Sequence, residues 1–298
     1  MVRGTRFWKA RRLVWRVRRS IPRAAQPLSL VVKADAPRRP IFVIGCPRSG
    51  TTLLLQALLQ SPELRSVHSE GHILWDAYHH PRERGWESDA LGPEDVLPRE
   101  REYIYLAVRL WTRGRRFVDK TPESCLRIPY LEALFPDARY VFLRRRAADN
   151  VNSLIEGWRA RPRFVKYRLP SGHRWSFVLV PGWRELVGTP LEEVCAGQYV
   201  ACNEAVLDAR EAIEPSRWHE LSYEELVAAP TEALRVLFER LDLALPGEVD
   251  RLARVPTRTA LTAPRPEKWR EQNPEAIERI LPLVRPVEER LGYSAKPS

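Results

Sequence analysis

The sequence predicts an α/β domain of three layers, in which a central parallel sheet is flanked by helices. From residue 40 onward, short apolar runs alternate with stretches of helical periodicity, which is the pattern of parallel strands joined by helical crossovers. The first run, Ile41 to Ile44, is apolar throughout and stops at Gly45, as expected of a strand buried on both faces.

The remaining elements are predicted in chain order from the same periodicities. They are helices at 53–60, 126–135, 149–158 and 191–213, further strands at 117–118, 139–143 and 217–221, and helices between 223 and 241. Residues 160–190 mix Arg, Pro, Gly and Trp without a clear period. We predict a long insertion or lid there, bordering the ligand pocket.

Charge separates an N-terminal tail, residues 1–38, from the domain at 39–298. Residues 1–33 hold ten Lys or Arg and no acid, so they carry +10 of the net +11 and leave the rest near +1. A nucleic-acid surface would need basic residues across the folded body, so we expect no nucleic-acid partner. Residues 5–19 have the pattern of a basic amphipathic helix for an anionic membrane surface, with a disordered solubilising tail as the alternative.

Location and redox state are inferred from what the sequence lacks. It has neither an apolar run of membrane-spanning length nor the apolar core of a secretory signal. Its four cysteines form no CxxC pair and are expected to be buried in a reducing compartment, without a metal site. We therefore expect a cytoplasmic protein, with peripheral membrane contact through residues 1–35 left open.

The loop after the first strand carries the chemistry. Its sequence is Gly45-Cys-Pro-Arg-Ser-Gly-Thr-Thr52, a P-loop-like GxxxxG turn whose amides at a helix N-terminus bind anions. The anion-binding residues are predicted as Arg48, Ser49, Gly50, Thr51 and Thr52. Thr51 stands where an ATP-binding loop has Lys, and we found no apolar strand ending in Asp as a magnesium partner. A kinase is therefore the less favoured alternative.

This strand, loop and helix resemble the 5′-phosphosulfate loop of sulfotransferases that use 3′-phosphoadenosine 5′-phosphosulfate (PAPS). The string RSGTT is closest to the branch that includes tyrosylprotein and bacterial carbohydrate and lipid sulfotransferases. The resemblance implies transfer of a sulfuryl group from PAPS to a hydroxyl of a carbohydrate, glycolipid or small molecule, by in-line displacement. It implies PAP as the second product and no metal. A non-catalytic protein that binds PAPS or PAP remains an alternative.

Three further segments resemble the same family. Arg145 and Ser153 match the residues that bind the 3′-phosphate of PAPS, although Arg146 and Ala147 replace the usual Asp-Pro and Arg144 is an alternative. Near the C-terminus, Tyr223 matches a tyrosine that approaches the adenine. Lys268 matches a lysine of a segment that closes over the phosphates.

The resemblance also implies the catalytic pair. Lys120 matches a lysine that stabilises the transferring group, and Glu70 matches the base that removes the acceptor proton. His68 and His72 are rival bases, because histidine titrates near neutrality. The side chains of Trp75, Tyr78, His79 and His80 either line the acceptor pocket or form a helix face.

Overall fold

The computed structural model describes residues 25–67, 70–160, 162–246 and 265–293. Its central sheet has five strands, all parallel, in the order β2-β3-β1-β4-β7. The strands are β1 (Ile41–Ile44), β2 (Leu64–Arg65), β3 (Arg116–Asp119), β4 (Arg139–Arg144) and β7 (Trp218–Ser222). The predicted tail helix at 5–19 and His68 lie outside the described residues.

Helices cover both faces of this sheet, as predicted. They are α1 (Thr51–Leu58), α2 (His72–His79), α3 (Pro98–Thr112), α4 (Ile128–Leu134), α5 (Ala147–Arg159), α6 (Leu191–Arg210), α7 (Tyr223–Ala228), α8 (Pro230–Arg240), α9 (Trp269–Gln272) and α10 (Pro274–Arg290). Side chains alternate along β1, so that Phe42 and Ile44 enter one apolar core while Ile41 and Val43 enter the other. The three-layer α/β prediction is confirmed.

The insertion at 160–190 is more ordered than the sequence indicated. Strands β5 (Val165–Arg168) and β6 (Arg174–Ser176) pair antiparallel as a hairpin. The segment that follows is part of the core, since Val178, Leu179 and Val180 are at most 1% exposed. The predicted insertion thus contains a hairpin and a buried segment that were not predicted, and its position beside the acceptor pocket stays a prediction.

Strand β3 also differs from its prediction. It begins one residue earlier and ends one residue later, in Asp119, so an apolar strand ending in Asp does lie beside β1. Its Oδ2 accepts hydrogen bonds from the Thr121 hydroxyl at 2.8 Å and the Trp75 indole at 3.3 Å. The Oδ2 atom of Asp119 is thus engaged by the protein itself, whereas the buried Oδ1 atom has no hydrogen-bond partner.

The four cysteines, Cys46, Cys125, Cys195 and Cys202, are buried and not joined in disulfides. Their burial agrees with the prediction that they pack as small apolar groups. Within the described ranges, every helix falls short of the length and apolarity needed to cross a membrane.

Candidate active site

The loop between β1 and α1 is a tight cradle. Arg48 and Gly50 both take left-handed backbone angles, with φ of 71° and 104°. A Cβ on Gly50 would lie 2.5 Å from Cδ2 of Tyr223, so only glycine fits there. The Ser49 hydroxyl is buried and has no hydrogen-bond partner. Because the first amides of α1, at Thr51 and Thr52, have no partner within the helix, the loop is built to receive an anion.

A second loop, after β4, is bonded directly to the first. The Arg145 guanidinium donates to the Arg48 carbonyl at 2.8 Å, and the Asn150 amide donates to the Pro47 carbonyl at 2.9 Å. Arg48 in turn donates through Nε to the Ser153 hydroxyl at 3.2 Å. The predicted residues Arg145 and Ser153 are thus in contact with the predicted loop. Asn150 was missed, although it lies one turn before Ser153.

The two adjacent arginines at the end of β4 point to different places. Arg144 donates to the Leu291 carbonyl at 2.8 Å and lies over the Tyr293 ring at 5.0 Å, beyond the end of α10. Arg145 lies over the Tyr223 ring at 4.2 Å. Of the two candidates for the 3′-phosphate, Arg145 is therefore the one that lies beside the loop.

Positive charge is concentrated around these loops. Burial and the charges of Arg145 and Arg163 lower the pKa of Arg48 to about 10. Partial burial and the charge of Arg145 also lower the pKa of Lys268, which places that lysine near the same cluster. An anion bound there would relieve this repulsion between like charges. Arg163 was missed, because it lies in the stretch without a period.

Glu70 and Lys120, the two residues predicted to be catalytic, contact each other. The Lys120 ammonium, whose side chain is 3% exposed, donates to Oε1 of Glu70. Thr121, which follows Lys120, accepts the Gly71 amide at 2.8 Å and so ties the Glu70 loop to the end of β3. Burial opposes the charge of Glu70, but the hydrogen bond from His72 and the charge of Lys120 outweigh it and lower the pKa of this carboxyl. Glu70 is therefore ionised at neutral pH and able to accept a proton.

His72 lies between two carboxylates. Its Nε2 is 2.5 Å from Oε2 of Glu70, and its Nδ1 is 3.3 Å from Oε2 of Glu123. Burial disfavours its charge, yet Glu123 and Glu70 raise the pKa of His72 to about 10. An imidazole that is already protonated cannot accept the acceptor's proton, so this geometry favours Glu70 over His72 as the base.

Two partners of this pair escaped the sequence analysis. Glu123 is 1% exposed and binds the Lys166 ammonium, which comes from β5. The position of Glu123, three residues after Lys120, was a signal that could have been used. Nothing in the sequence around Lys166 marked it, because the hairpin itself was not predicted.

The four aromatic or imidazole side chains offered for the acceptor pocket divide into two kinds. Trp75 and His79 are core residues of α2: Trp75 bonds Asp119, and Nε2 of His79 lies 2.9 Å from Glu100. The burial of these two side chains favours the helix-face alternative. Tyr78 packs on Tyr103, whereas His80 packs edge-on against Tyr167 of the hairpin.

Comparison with known proteins places this site in a family. A family model for sulfotransferases matches residues 40–247. The omega-hydroxy-beta-dihydromenaquinone-9 sulfotransferase Stf3 of Mycobacterium tuberculosis is 23% identical over 68% of this chain and 63% of its own length. The nodulation protein NoeE of Sinorhizobium fredii is 30% identical over 65% of this chain and 48% of its own. The chain spans between 26% and 65% of the length of the curated relatives it matches.

Solved structures show the same fold. The sulfotransferase STF1 of Mycobacterium tuberculosis superposes with a TM-score of 0.55 at 17% identity, over 89% of this chain and 81% of its own. The sulfotransferase STF9 of Mycobacterium avium gives a TM-score of 0.54 at 19% identity, over 91% of this chain and 81% of its own.

Proposed function

Because the chain belongs to the sulfotransferase family, we propose that it transfers a sulfuryl group from PAPS to a hydroxyl acceptor. The observation that carries the proposal is the direct bonding of two anion-binding loops, through Arg145 and Arg48, beside a strand that supports an ionised Glu70. Two anion-binding loops and one proton acceptor are what a donor with two separate phosphate groups and a hydroxyl acceptor require.

The residues around the loops suit PAPS. The segment from Arg48 to Thr52 would hold the 5′-phosphosulfate, and the unpartnered Ser49 hydroxyl supports this. Arg145 and Ser153 would hold the 3′-phosphate, for which a guanidinium offers two aligned donors. The ring of Tyr223, against Gly50 and Arg145, would face the adenine, and Lys268 would add charge near the phosphates.

The reaction needs one proton acceptor and one source of positive charge. PAPS, when bound, supplies the sulfuryl group and the phosphate on which the leaving charge develops. The acceptor oxygen forms a bond to sulfur while the bond from sulfur to that phosphate breaks, and the hydroxyl proton passes to Glu70. Lys120 stabilises the developing charge, so that the proposal names cationic side chains and no metal ion. Within the described residues, no three acidic, cysteine or histidine side chains are grouped as metal ligands.

The test is sulfate transfer from radiolabelled PAPS to a panel of hydroxyl acceptors. We expect Glu70→Gln to lower kcat by about a hundredfold or more, the range for a general base, with PAP binding retained. Glu83→Gln, at an exposed glutamate, is the matched control and should leave kcat unchanged. Magnesium-dependent phosphoryl transfer from ATP would favour the kinase alternative. Tight PAP binding without turnover of any acceptor would favour a binding protein.

We further propose that the acceptor is presented at a membrane surface on the cytoplasmic side. The basic residues 1–33 suit anionic lipids, and near their end lies an exposed apolar run in which Leu30 is 62% and Val31 80% exposed. The relative Stf3 is named for omega-hydroxy-beta-dihydromenaquinone-9, which makes quinol-type acceptors part of the panel.

Vesicle sedimentation tests this contact. We expect the protein to bind vesicles that contain anionic lipid and to bind neutral vesicles weakly. Leu30→Ser with Val31→Ser should weaken binding, whereas Leu110→Ser, an exposed leucine on α3, serves as the control. Equal binding of all three proteins to anionic vesicles would contradict a role for this run.

A further inference from the structure

Five charged side chains of alternating sign are paired in a continuous series that includes Glu70. Lys120 binds Glu70, Glu70 binds His72, His72 binds Glu123 and Glu123 binds Lys166. They come from the loop before α2, from α2 itself, from the residues after β3 and from β5. Only Glu70 and Lys120 of these five belong to the catalytic pair described above.

We propose that His72 is a positioning residue, which fixes the carboxylate of Glu70 for proton transfer and is itself held in place by Glu123 and Lys166. This inference rests on the proposed function, because it assigns His72 a role toward the base of that reaction. It extends the proposed function by naming three residues, His72, Glu123 and Lys166, that support Glu70 without touching the acceptor.

Burial fixes this series of charged side chains at two positions. Glu123 and Lys120 have side chains that are 1% and 3% exposed, whereas those of His72 and Glu70 are 33% and 28% exposed. An isolated buried charge is strongly unfavourable, so Glu123 must keep its cationic partners. His72 is thus paired by charge with Glu123 on the inner side, where Nδ1 lies 3.3 Å from Oε2 without forming a hydrogen bond. It presents Nε2 to Glu70 on the outer side.

Glu70 needs such an anchor. It lies in a loop, outside helix and strand, so the backbone alone does not fix its carboxylate. Oε1 is bound by Lys120, whose charge the proposed reaction also draws toward the transferring group. When the Lys120 ammonium also interacts with the transferring group, its hold on Glu70 weakens. The hydrogen bond from His72 to Oε2 then keeps the Glu70 carboxylate in place. Orientation within a fraction of an ångström is what a general base requires.

The charge of His72 should also set the basicity of Glu70. Because both carboxylates hold its pKa at about 10, His72 remains an imidazolium at neutral pH and lowers the pKa of Glu70. Removing that charge should raise the pKa of Glu70 and move the acidic limb of the kcat profile to higher pH. The charged groups facing His72 are Glu70, Glu123, Lys166 and Asp119.

Helix α2, which carries His72, also offers a matched control. His79 also pairs with a buried glutamate, Glu100, at 2.9 Å, and this pair has no contact with Glu70 among the described residues. A purely structural His–Glu pair should therefore respond to substitution as His79 does, through stability alone.

The experiment compares His72→Gln with His79→Gln in the full chain, by the pH dependence of kcat and by PAP affinity. We expect His72→Gln to lower kcat by about tenfold, to move the acidic limb to higher pH and to leave PAP affinity unchanged. His79→Gln should leave the acidic limb of the kcat profile at the same pH as in the wild type. Turnover by His72→Gln with an unshifted limb would overturn this inference alone. Absence of turnover by the wild-type protein would overturn the proposed function and this inference with it.

A second variant keeps the test open if His72→Gln fails to fold. Glu123→Gln preserves shape but removes one of the two charges that keep His72 protonated. Nitrogen-15 NMR of the imidazoles should show His72 losing its proton at lower pH in Glu123→Gln than in the wild type. The kcat of this variant should fall over the same pH interval. A His72 titration that does not respond to Glu123→Gln would show that the two residues are not coupled and would refute the proposed support.

Discussion

Replacing Gly50 by alanine should damage the anion loop through two separable effects. The first is backbone strain, because Gly50 has a φ of 104° and an L-residue in left-handed conformations is disfavoured by roughly 1–2 kcal/mol. The second is a clash, because the new Cβ would lie 2.5 Å from Cδ2 and 2.7 Å from Cε2 of Tyr223. Displacing a packed ring of this kind is unfavourable by about 1–3 kcal/mol. We therefore expect Gly50→Ala to lower the free energy of unfolding by about 2–5 kcal/mol.

The clash should also weaken nucleotide binding. The Tyr223 ring lies under the Arg145 guanidinium at 4.2 Å, so a shift of the ring disturbs the residue assigned to the 3′-phosphate. Each 1.4 kcal/mol of lost binding free energy is a factor of about ten in affinity. We expect the affinity of Gly50→Ala for PAP to fall at least about tenfold, as measured by calorimetric titration.

Gly188 supplies the control for strain alone. It has a φ of 92°, close to that of Gly50, and a Cβ added there would meet no atom within 4 Å. Gly188→Ala should therefore lower stability by only about 1–2 kcal/mol, with PAP affinity unchanged. Both substitutions restrict the unfolded chain equally, so that contribution cancels in the comparison.

A double-mutant cycle isolates the clash. In a Tyr223→Ala background the ring is gone, so Gly50→Ala should show the strain alone and match Gly188→Ala in urea unfolding. The reasoning would be refuted if Gly50→Ala were no more destabilising than Gly188→Ala and bound PAP as the wild type does.

Three other predictions follow from contacts of the same site. Ser49→Ala removes a buried hydroxyl that has no partner, so urea unfolding should show equal or higher stability by up to about 1 kcal/mol while PAP affinity falls. Arg145→Met should weaken PAP about ten- to a hundredfold but AMP little, since only PAP has a 3′-phosphate, whereas Arg144→Met should leave the ratio of the two affinities unchanged. The pKa of His72 is raised from 6.5 to about 10, so its contribution to stability is complete below about pH 6.5 and is lost as the pH rises through about 10. The stability difference between wild type and His72→Gln should therefore narrow over that interval, and a constant difference would contradict the raised pKa.

The parts of the fold that the sequence predicted are those with local signals. Strand β1 and the loop to Thr52 follow one another along the chain, so apolar content and glycine spacing were sufficient to place them. The parallel sheet followed from the alternation of strands and helices and required no knowledge of contacts. The family resemblance then supplied Glu70 and Lys120, which the folded chain brings together from residues fifty positions apart.

The rest depended on contacts that no local pattern encodes. The sequence could not choose between Arg144 and Arg145, because adjacent residues at a strand end point in different directions and strand ends are uncertain by a residue or two. Lys166 reaches Glu123 because the hairpin packs against the residue that follows α2. Trp75 has a size and polarity suited equally to a pocket and to a core, and only the folded structure shows it buried with its indole bonded to Asp119.

The bonds between the two anion-binding loops have a consequence for selectivity among nucleotides. Because Arg145 is tied to the Arg48 carbonyl and Asn150 to the Pro47 carbonyl, the spacing between the two proposed phosphate sites is set by the protein. Such a site selects nucleotides by the distance between their two phosphate groups. A nucleotide whose second phosphate sits on the 2′ oxygen presents the same charge at a different span, and should be rejected by its geometry.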